Sequence, residues 1–160
     1  MAAPKKKEDE DIVSICRNKR AFHEYEIFDA LECGIVLTGT EVKSLREHAA
    51  SLEEAYAKID GGELWLIGSD IPEYTMGNRL NHKPKRARKL LLHKREIEKF
   101  AGKASQQGYT LVPLRLYFKQ GRAKIEIAVA RGKKTYDKRD VKKKAEAARE
   151  IRKAMKEKRR

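Results

Sequence analysis

The sequence predicts a mainly β fold: a small closed antiparallel β-barrel of about six strands, with two or three helices and a basic C-terminal tail. Three observations carry that prediction. Gly61-Gly62 joins two β-type runs, residues 55–60 and 63–71, and two short strands around a two-residue glycine loop are a strong hairpin signal. Gln120-Gly121 joins two more, residues 109–119 and 122–131. Helical periodicity is confined to short stretches, and a chain of strands with few helices closes most simply as a barrel.

The elements follow in order. Residues 1–11 (Lys5-Lys6-Lys7, then Glu8-Asp9-Glu10-Asp11) are small, charged and Pro-containing, and are expected to be a disordered N-terminal extension. Residues 12–16 are a short β run. Arg17, Asn18, Lys19 and Arg20 follow, either a charged turn between strands or a phosphate clamp. From Phe22 the pattern alternates, Phe22, Glu24, Glu26 and Phe28 sharing one parity and His23, Tyr25 and Ile27 the other, which fits a long strand that changes face near Asp29 and continues through Ile35, with Gly34 as a bulge or bend. Residues 40–46 read as a short helix capped by Thr40, with Val42 and Leu45 inward and Lys43 and Arg46 outward. The Gly-Gly hairpin comes next, and Pro72 ends its second strand or forces it to an edge.

Residues 74–95 carry eight Lys/Arg and no acid. Gly77, Asn78, Asn81 and Pro84 make this stretch a loop, and its single-signed charge favours an anion as partner. Leu90-Leu91-Leu92 anchors its end. A helix near 94–106 follows, with Ile97, Phe100, Ala101 and Ala104 on one face and Gly108 as its C-cap. In the last hairpin, Ile125, Ile127 and Val129 face the core, and Lys124 is offered to solvent or a partner. The expected organisation is an extension at 1–11, an OB-like barrel at 12–131 and the tail at 132–160. An OB-like barrel is the obvious nucleic-acid-binding version of such a fold.

Charge is segregated along the chain. Residues 132–160 hold 14 Lys/Arg against 5 Asp/Glu, a net +9 of the chain's +14. The tail's apolar residues, Val141, Ala145, Ala148, Ile151 and Met155, have helical spacing but form a narrow stripe, and an isolated helix of this length is marginal in water. The tail is therefore expected to be disordered when free and helical when held by a polyanion, which supplies charge and releases counterions. Nucleic acid is the first partner implied. No apolar run could span a bilayer, the start lacks the apolar region of a signal peptide, and the expected compartment is the cytoplasm. Cys16 and Cys33 are too few for a disulfide framework and read as reduced, semi-buried thiols.

Chemistry has no foothold. His23, His48, His82 and His93 have no metal-ligand spacing with either cysteine. There is no Walker loop, no Gly-rich dinucleotide turn and no nucleophile elbow. Paired carboxylates such as Glu53-Glu54 lie in ordinary polar surroundings. No enzyme, metal, cofactor, small-molecule substrate or membrane contact is expected, and a monomer is.

Five blocks then carry a family resemblance. Asn18-Lys19-Arg20-Ala21 with His23-Glu24-Tyr25, Gly39-Thr40-Glu41-Val42-Lys43-Ser44-Leu45-Arg46, Arg88-Lys89-Leu90-Leu91-Leu92, Gly132-Lys133-Lys134, and Asp137-Lys138-Arg139 occur in that order. Together they resemble the SsrA-binding (small protein B, SmpB) family, over about residues 12–160. The resemblance implies an OB-like barrel that binds the tRNA-like domain of transfer-messenger RNA and delivers it to stalled ribosomes for trans-translation. The tail then enters the decoding centre and the empty message channel of the small subunit.

On that resemblance the RNA-contact residues are Arg17, Asn18, Lys19, Arg20, Tyr25, Glu32, Lys43, Arg46, Lys85, Arg86, Arg88, Lys89, Leu91, Lys124, Lys133 and Lys134. Glu32 is expected to orient a hydrogen-bond network. Leu91 matches a position needed for RNA binding, with plain core packing as the other reading. The residues for the decoding centre are Tyr136, Asp137, Lys138, Arg139, Lys142, Lys143, Lys144, Ile151 and Met155. Many family members have His where this chain has Tyr136, so stacking on a base replaces proton chemistry there. The competing reading is a ribosomal protein or assembly factor that binds ribosomal RNA permanently.

Overall fold

The structure is a computed structural model that describes residues 11–77 and 80–158. The expected disorder of residues 1–11 falls, Asp11 apart, outside the described residues, as do Arg79 of the basic loop and the last two residues of the tail. The side chains of residues 135–138 are likewise outside them.

The elements are β1 (Ile12–Arg17), α1 (Lys19–Glu24), β2 (Tyr25–Ile35), α2 (Gly39–Arg46), β3 (Tyr56–Asp60), β4 (Glu63–Ile67), β5 (Arg88–Leu91), α3 (Lys94–Ala104), β6 (Tyr109–Lys119), β7 (Arg122–Gly132) and α4 (Thr135–Lys158). All strand pairs are antiparallel, in the order β1-β6-β3-β4-β5-β2-β7. A further β6–β7 pairing closes six of them into a ring of hydrogen bonds, with β1 beside β6. The mainly β, closed antiparallel, OB-like class expected from the sequence is the one found; the described residues hold seven strands rather than about six, and three helices, α1 to α3, besides the tail helix α4.

Both hairpins form where the turn residues place them. Asp60 pairs with Glu63, and Gly61 and Gly62 both have positive φ, 59° and 76°. That is the geometry a two-residue turn between twisted strands requires. The face change near Asp29 is a bulge in the β2–β7 ladder between Ile27 and Ala30.

Four local expectations are corrected. Residues 19–24 are helix, so the alternation from Phe22 is not strand until Tyr25. Asn18 caps the start of α1: its side chain accepts from Ala21 N at 3.0 Å while its Nδ2 donates to Leu52 O and Pro113 O. Gly34 lies in unbroken β2, paired to both Leu91 and Lys124, and is not a bulge. The cap of α2 is Thr38, in a capping box with Glu41, and α3 ends at Ser105, leaving Gly108 (φ 85°) in the turn to β6.

The core lies inside the ring, built from Leu45, Leu64, Leu66, Leu90, Phe100, Leu116, Ile125, Ile127 and neighbours. Each such side chain contributes about 1.5–3 kcal/mol by leaving water. A second, smaller cluster lies outside it, where Ala21 of α1 packs on Val112, Leu114, Ala128 and Ala130. The small residues on β7 let α1 approach closely. One half of the outer β6–β7 face is therefore covered by α1, and the other half is open. The open half carries the site.

Candidate nucleic-acid interface

Register assembles the open face. Directly opposed residues in antiparallel strands share a face. Ser14, Tyr117, Lys124, Gly34 and Leu91 are successive partners across β1, β6, β7, β2 and β5. The next row is Arg17, Arg115, Glu126 and Glu32. Gly34 has no side chain, so the first row has a gap between Lys124 and Leu91. That gap is the floor of a groove of about 410 Å³ lined by Glu32, Leu91, His93 and Lys124. Glu32, Leu91 and Lys124, far apart in sequence, thus meet at one groove.

Leu91 is 52 % exposed, whereas Leu90 fills the core, which rules out plain core packing for Leu91. Glu32 is held from beneath. The buried Tyr117 hydroxyl donates to Glu32 Oε2, and Lys119 Nζ lies 3.7 Å from the same oxygen. Burial, then the hydrogen bond to Glu32 and its negative charge, push the Tyr117 phenol well above its ordinary pKa. It therefore stays protonated and remains a donor. The groove offers a cation, an apolar wall and two carboxylates, the oriented Glu32 and Glu96 at its edge. A carboxylate repels phosphate, so Glu32 suits base or ribose donors, and Lys124 suits phosphate. Below the groove the Cys33 thiol is buried and pushed up to about 12, and Cys16 is pushed up to about 11, in both cases chiefly by burial. Neither is a nucleophile at neutral pH.

The basic loop is organised by one buried acid. Glu41 and Arg88 are both 0 % exposed. Arg88 Nε donates to Glu41 Oε1 at 2.9 Å, and Arg86 donates to both carboxylate oxygens at 2.7 and 2.6 Å. The remaining Arg88 nitrogens donate to Ser69 O, Ser69 Oγ, Arg86 O and Pro84 O. Burial pushes the Glu41 carboxyl up. The hydrogen bonds from Arg86 and Thr38 N–H and the charges of Arg88 and Arg86 outweigh it and hold the pKa below its ordinary value. His82 ties down the same loop: its Nε2 donates to Ile71 O at 2.8 Å, and its Nδ1 meets the Thr40 hydroxyl at 2.9 Å.

Two expected contact residues therefore have a different task. Arg88 and Asn18, the latter 2 % exposed, spend their polar groups inside the protein and position the surface rather than present themselves on it. Arg86 is half-committed in the same way. Of the others, Lys85, Lys43 and Arg46 are exposed, with Lys43 5.6 Å over the Tyr74 ring. Lys89 pairs with Glu63 at 2.7 Å. Lys19 and Arg20 are exposed on α1, with Arg20 bonded to Glu24 at 2.9 Å. Arg17 ends β1, and Tyr25 opens β2 opposite Gly132.

Lys133 anchors the tail's base, its N–H donating to Glu24 O at 2.9 Å and its Nζ to Phe22 O at 3.2 Å. Beyond the exposed Lys134, α4 runs to Lys158. Arg139, Lys142, Lys143, Lys144, Ile151 and Met155 are exposed along it, while the side chains of Tyr136, Asp137 and Lys138 lie outside the description. Sequence reasoning missed Tyr117, Gly34 as the groove's floor, and Glu41 as the loop's organiser. No local signal singles out Glu41, because seven further acids lie between it and the basic stretch.

Among the described residues no group of three or more His, Cys, Asp and Glu is placed to hold a metal ion, and no helix is long and apolar enough to cross a membrane.

Comparison with known proteins gives a consistent result. The SmpB protein family model matches residues 15–157. The SsrA-binding protein of Frankia casuarinae is 58 % identical over 141 residues, 88 % of this chain and 89 % of the relative. That of Thermobifida fusca is 54 % identical over 159 residues, 98 % and 99 % of the two chains. A solved structure described as "tmRNA-SmpB: a journey to the center of the bacterial ribosome" superposes with a TM-score of 0.65. It is 45 % identical and covers 78 % of this chain and 86 % of its own.

Proposed function

The chain belongs to the SmpB family, and from that premise we propose that it binds the tRNA-like domain of transfer-messenger RNA through the closed sheet and carries it to stalled ribosomes for trans-translation. It acts by binding, without a catalytic centre, as a cytoplasmic monomer. Glu32, Leu91 and Lys124 form the central RNA contact. Arg17, Lys19, Arg20, Tyr25, Lys43, Arg46, Lys85, Lys89, Lys133 and Lys134 are available around it, and Asn18, Arg86 and Arg88 hold it in shape. The observation that carries this reading is the outward groove at which Glu32, Leu91 and Lys124 meet.

The tail has the other task. The described cations of α4 are exposed, and a channel walled by ribosomal RNA supplies the counter-charge it lacks. An occupied message would exclude it, so an empty channel becomes the signal. Tyr136 stacks on a ribosomal base there.

A gel shift tests the division. The full chain and a 1–131 truncation are each titrated with transfer-messenger RNA at two salt concentrations, with bulk tRNA in excess. Both are expected to bind and to resist the tRNA. Binding that vanished with the tail, or that tRNA competed away, would instead describe a generic polycation of the ribosomal-protein kind.

A further inference from the structure

The outward face has a second end. Arg17 and Arg115 are direct partners across β1 and β6, so their guanidinium groups leave the sheet side by side. Like charges placed directly opposite destabilise a strand pair, and yet both are fixed in position. Arg17 lies 4.6 Å over the Phe22 ring, and Arg115 lies 4.8 Å over the Tyr117 ring. Stacking fixes a guanidinium plane and leaves its N–H edge to fork onto an acceptor. Glu126 bonds Arg115 Nε at 2.5 Å and neutralises one of the two charges, so the trio stays positive. Arg17, Phe22, Arg115 and Glu126, with Ser14 and Leu114, line a cavity of about 420 Å³. Phe22 is 38 % exposed at its rim.

We propose that this is a second RNA-contact site, in which Arg17 and Arg115 clamp one backbone phosphate and the exposed ring of Phe22 stacks on the adjacent base. The phosphate supplies the negative charge that the opposed arginines lack, and Glu126 aims Arg115 by holding its Nε. This rests on the RNA-binding reading above and extends it along the same face. Arg17 shares its cross-strand row with Glu32, three strand spacings or roughly 14 Å away at about 4.8 Å each. One run of nucleotides can therefore cross β1, β6, β7 and β2 from Phe22 to the Leu91 groove.

The test uses the full chain and transfer-messenger RNA, with affinity measured over a series of salt concentrations and the melting temperature followed by circular dichroism. Arg17→Gln and Arg115→Gln should each weaken binding several-fold and flatten the salt slope, by up to about one unit. Because both hold one phosphate, the double variant should lose little more than either single one. Arg17→Lys keeps the charge but not the fork, and should restore the slope without the full affinity. Phe22→Leu should weaken binding at an unchanged slope. Folded arginine variants with unchanged affinity and slope would overturn the site. So would a lowered melting temperature with an unchanged slope, which marks a packing role alone. Failure of the unmodified chain to bind this RNA is a separate result that removes the RNA reading and the site together.

Discussion

A Cβ placed on Gly34 would lie 3.1 Å from the Cβ of Leu91. The two residues face each other across β2 and β5, and the missing side chain is what opens the groove. Gly34→Val would fill the floor and push Leu91 aside. Leu91 is half exposed and can give way, so the stability cost should fall at the low end of the roughly 1–3 kcal/mol typical of overpacking. RNA affinity should fall far more than the melting temperature does. Equal losses in a gel shift and a thermal melt would place the groove away from the RNA.

Tyr117 acts through Glu32. Tyr117→Phe removes the donor to Oε2 and leaves the carboxylate to the looser hold of Lys119. A hydrogen bond to a charged group is worth about 1.5–3 kcal/mol, and the partial exposure of Glu32 puts this one at the lower end. RNA binding should weaken while its salt slope stays unchanged, since the hydroxyl touches no phosphate. A changed slope in the Tyr117→Phe protein would assign the tyrosine a backbone contact instead.

Glu41 should make the fold acid-sensitive. Its native carboxyl sits below the ordinary 4.5, so the unfolded chain takes up the proton more readily. The stability that this ion pair supplies is complete above about pH 4.5 and is lost as pH falls through the depressed native value. Glu41→Gln should flatten that acid limb of the melting curve. At neutral pH it should cost about 3–5 kcal/mol, the usual result of stripping one partner from a buried pair. Adding Arg88→Met should recover part of the loss. An acid limb identical in Glu41→Gln and the unmodified protein would show that other carboxylates set it.

Asn18→Ala removes three buried hydrogen bonds at once, one of them the helix cap. Loss of a cap and the stranding of buried carbonyls should together cost about 3 kcal/mol. The exposed Lys19→Ala should leave the melt unchanged and reduce only RNA binding. If Asn18→Ala melted like the unmodified chain and bound RNA less tightly, its amide would belong to the interface after all.

The hairpins were legible because a two-residue turn is written locally, in Gly61-Gly62 and Gln120-Gly121. The short helix α1 was not. Its Phe22 and Glu24 continue the parity of β2, and the signal that separates them is an asparagine whose partners, Leu52 and Pro113, are remote in sequence. β5 was hidden for a similar reason. Arg88 and Lys89 read as loop until Glu41 and Glu63 are known to face them. The groove is a product of register: Glu32, Leu91 and Lys124 become neighbours only once β5, β2 and β7 are paired, and no spacing rule reaches across three separate strands. The roles proposed for those three residues come from family resemblance, and the geometry brings their side chains to one groove.

The joint at Lys133 makes the tail a lever arm. Two hydrogen bonds to α1 fix its fulcrum, and the 24 residues of α4 form a rod about 36 Å long at ~1.5 Å per residue, so a tilt of about 10° at the base carries the tip roughly 6 Å. Small adjustments where α1 meets the sheet are thereby magnified at the far end. A body seated by its RNA cargo would at once narrow the volume that the distant cations search.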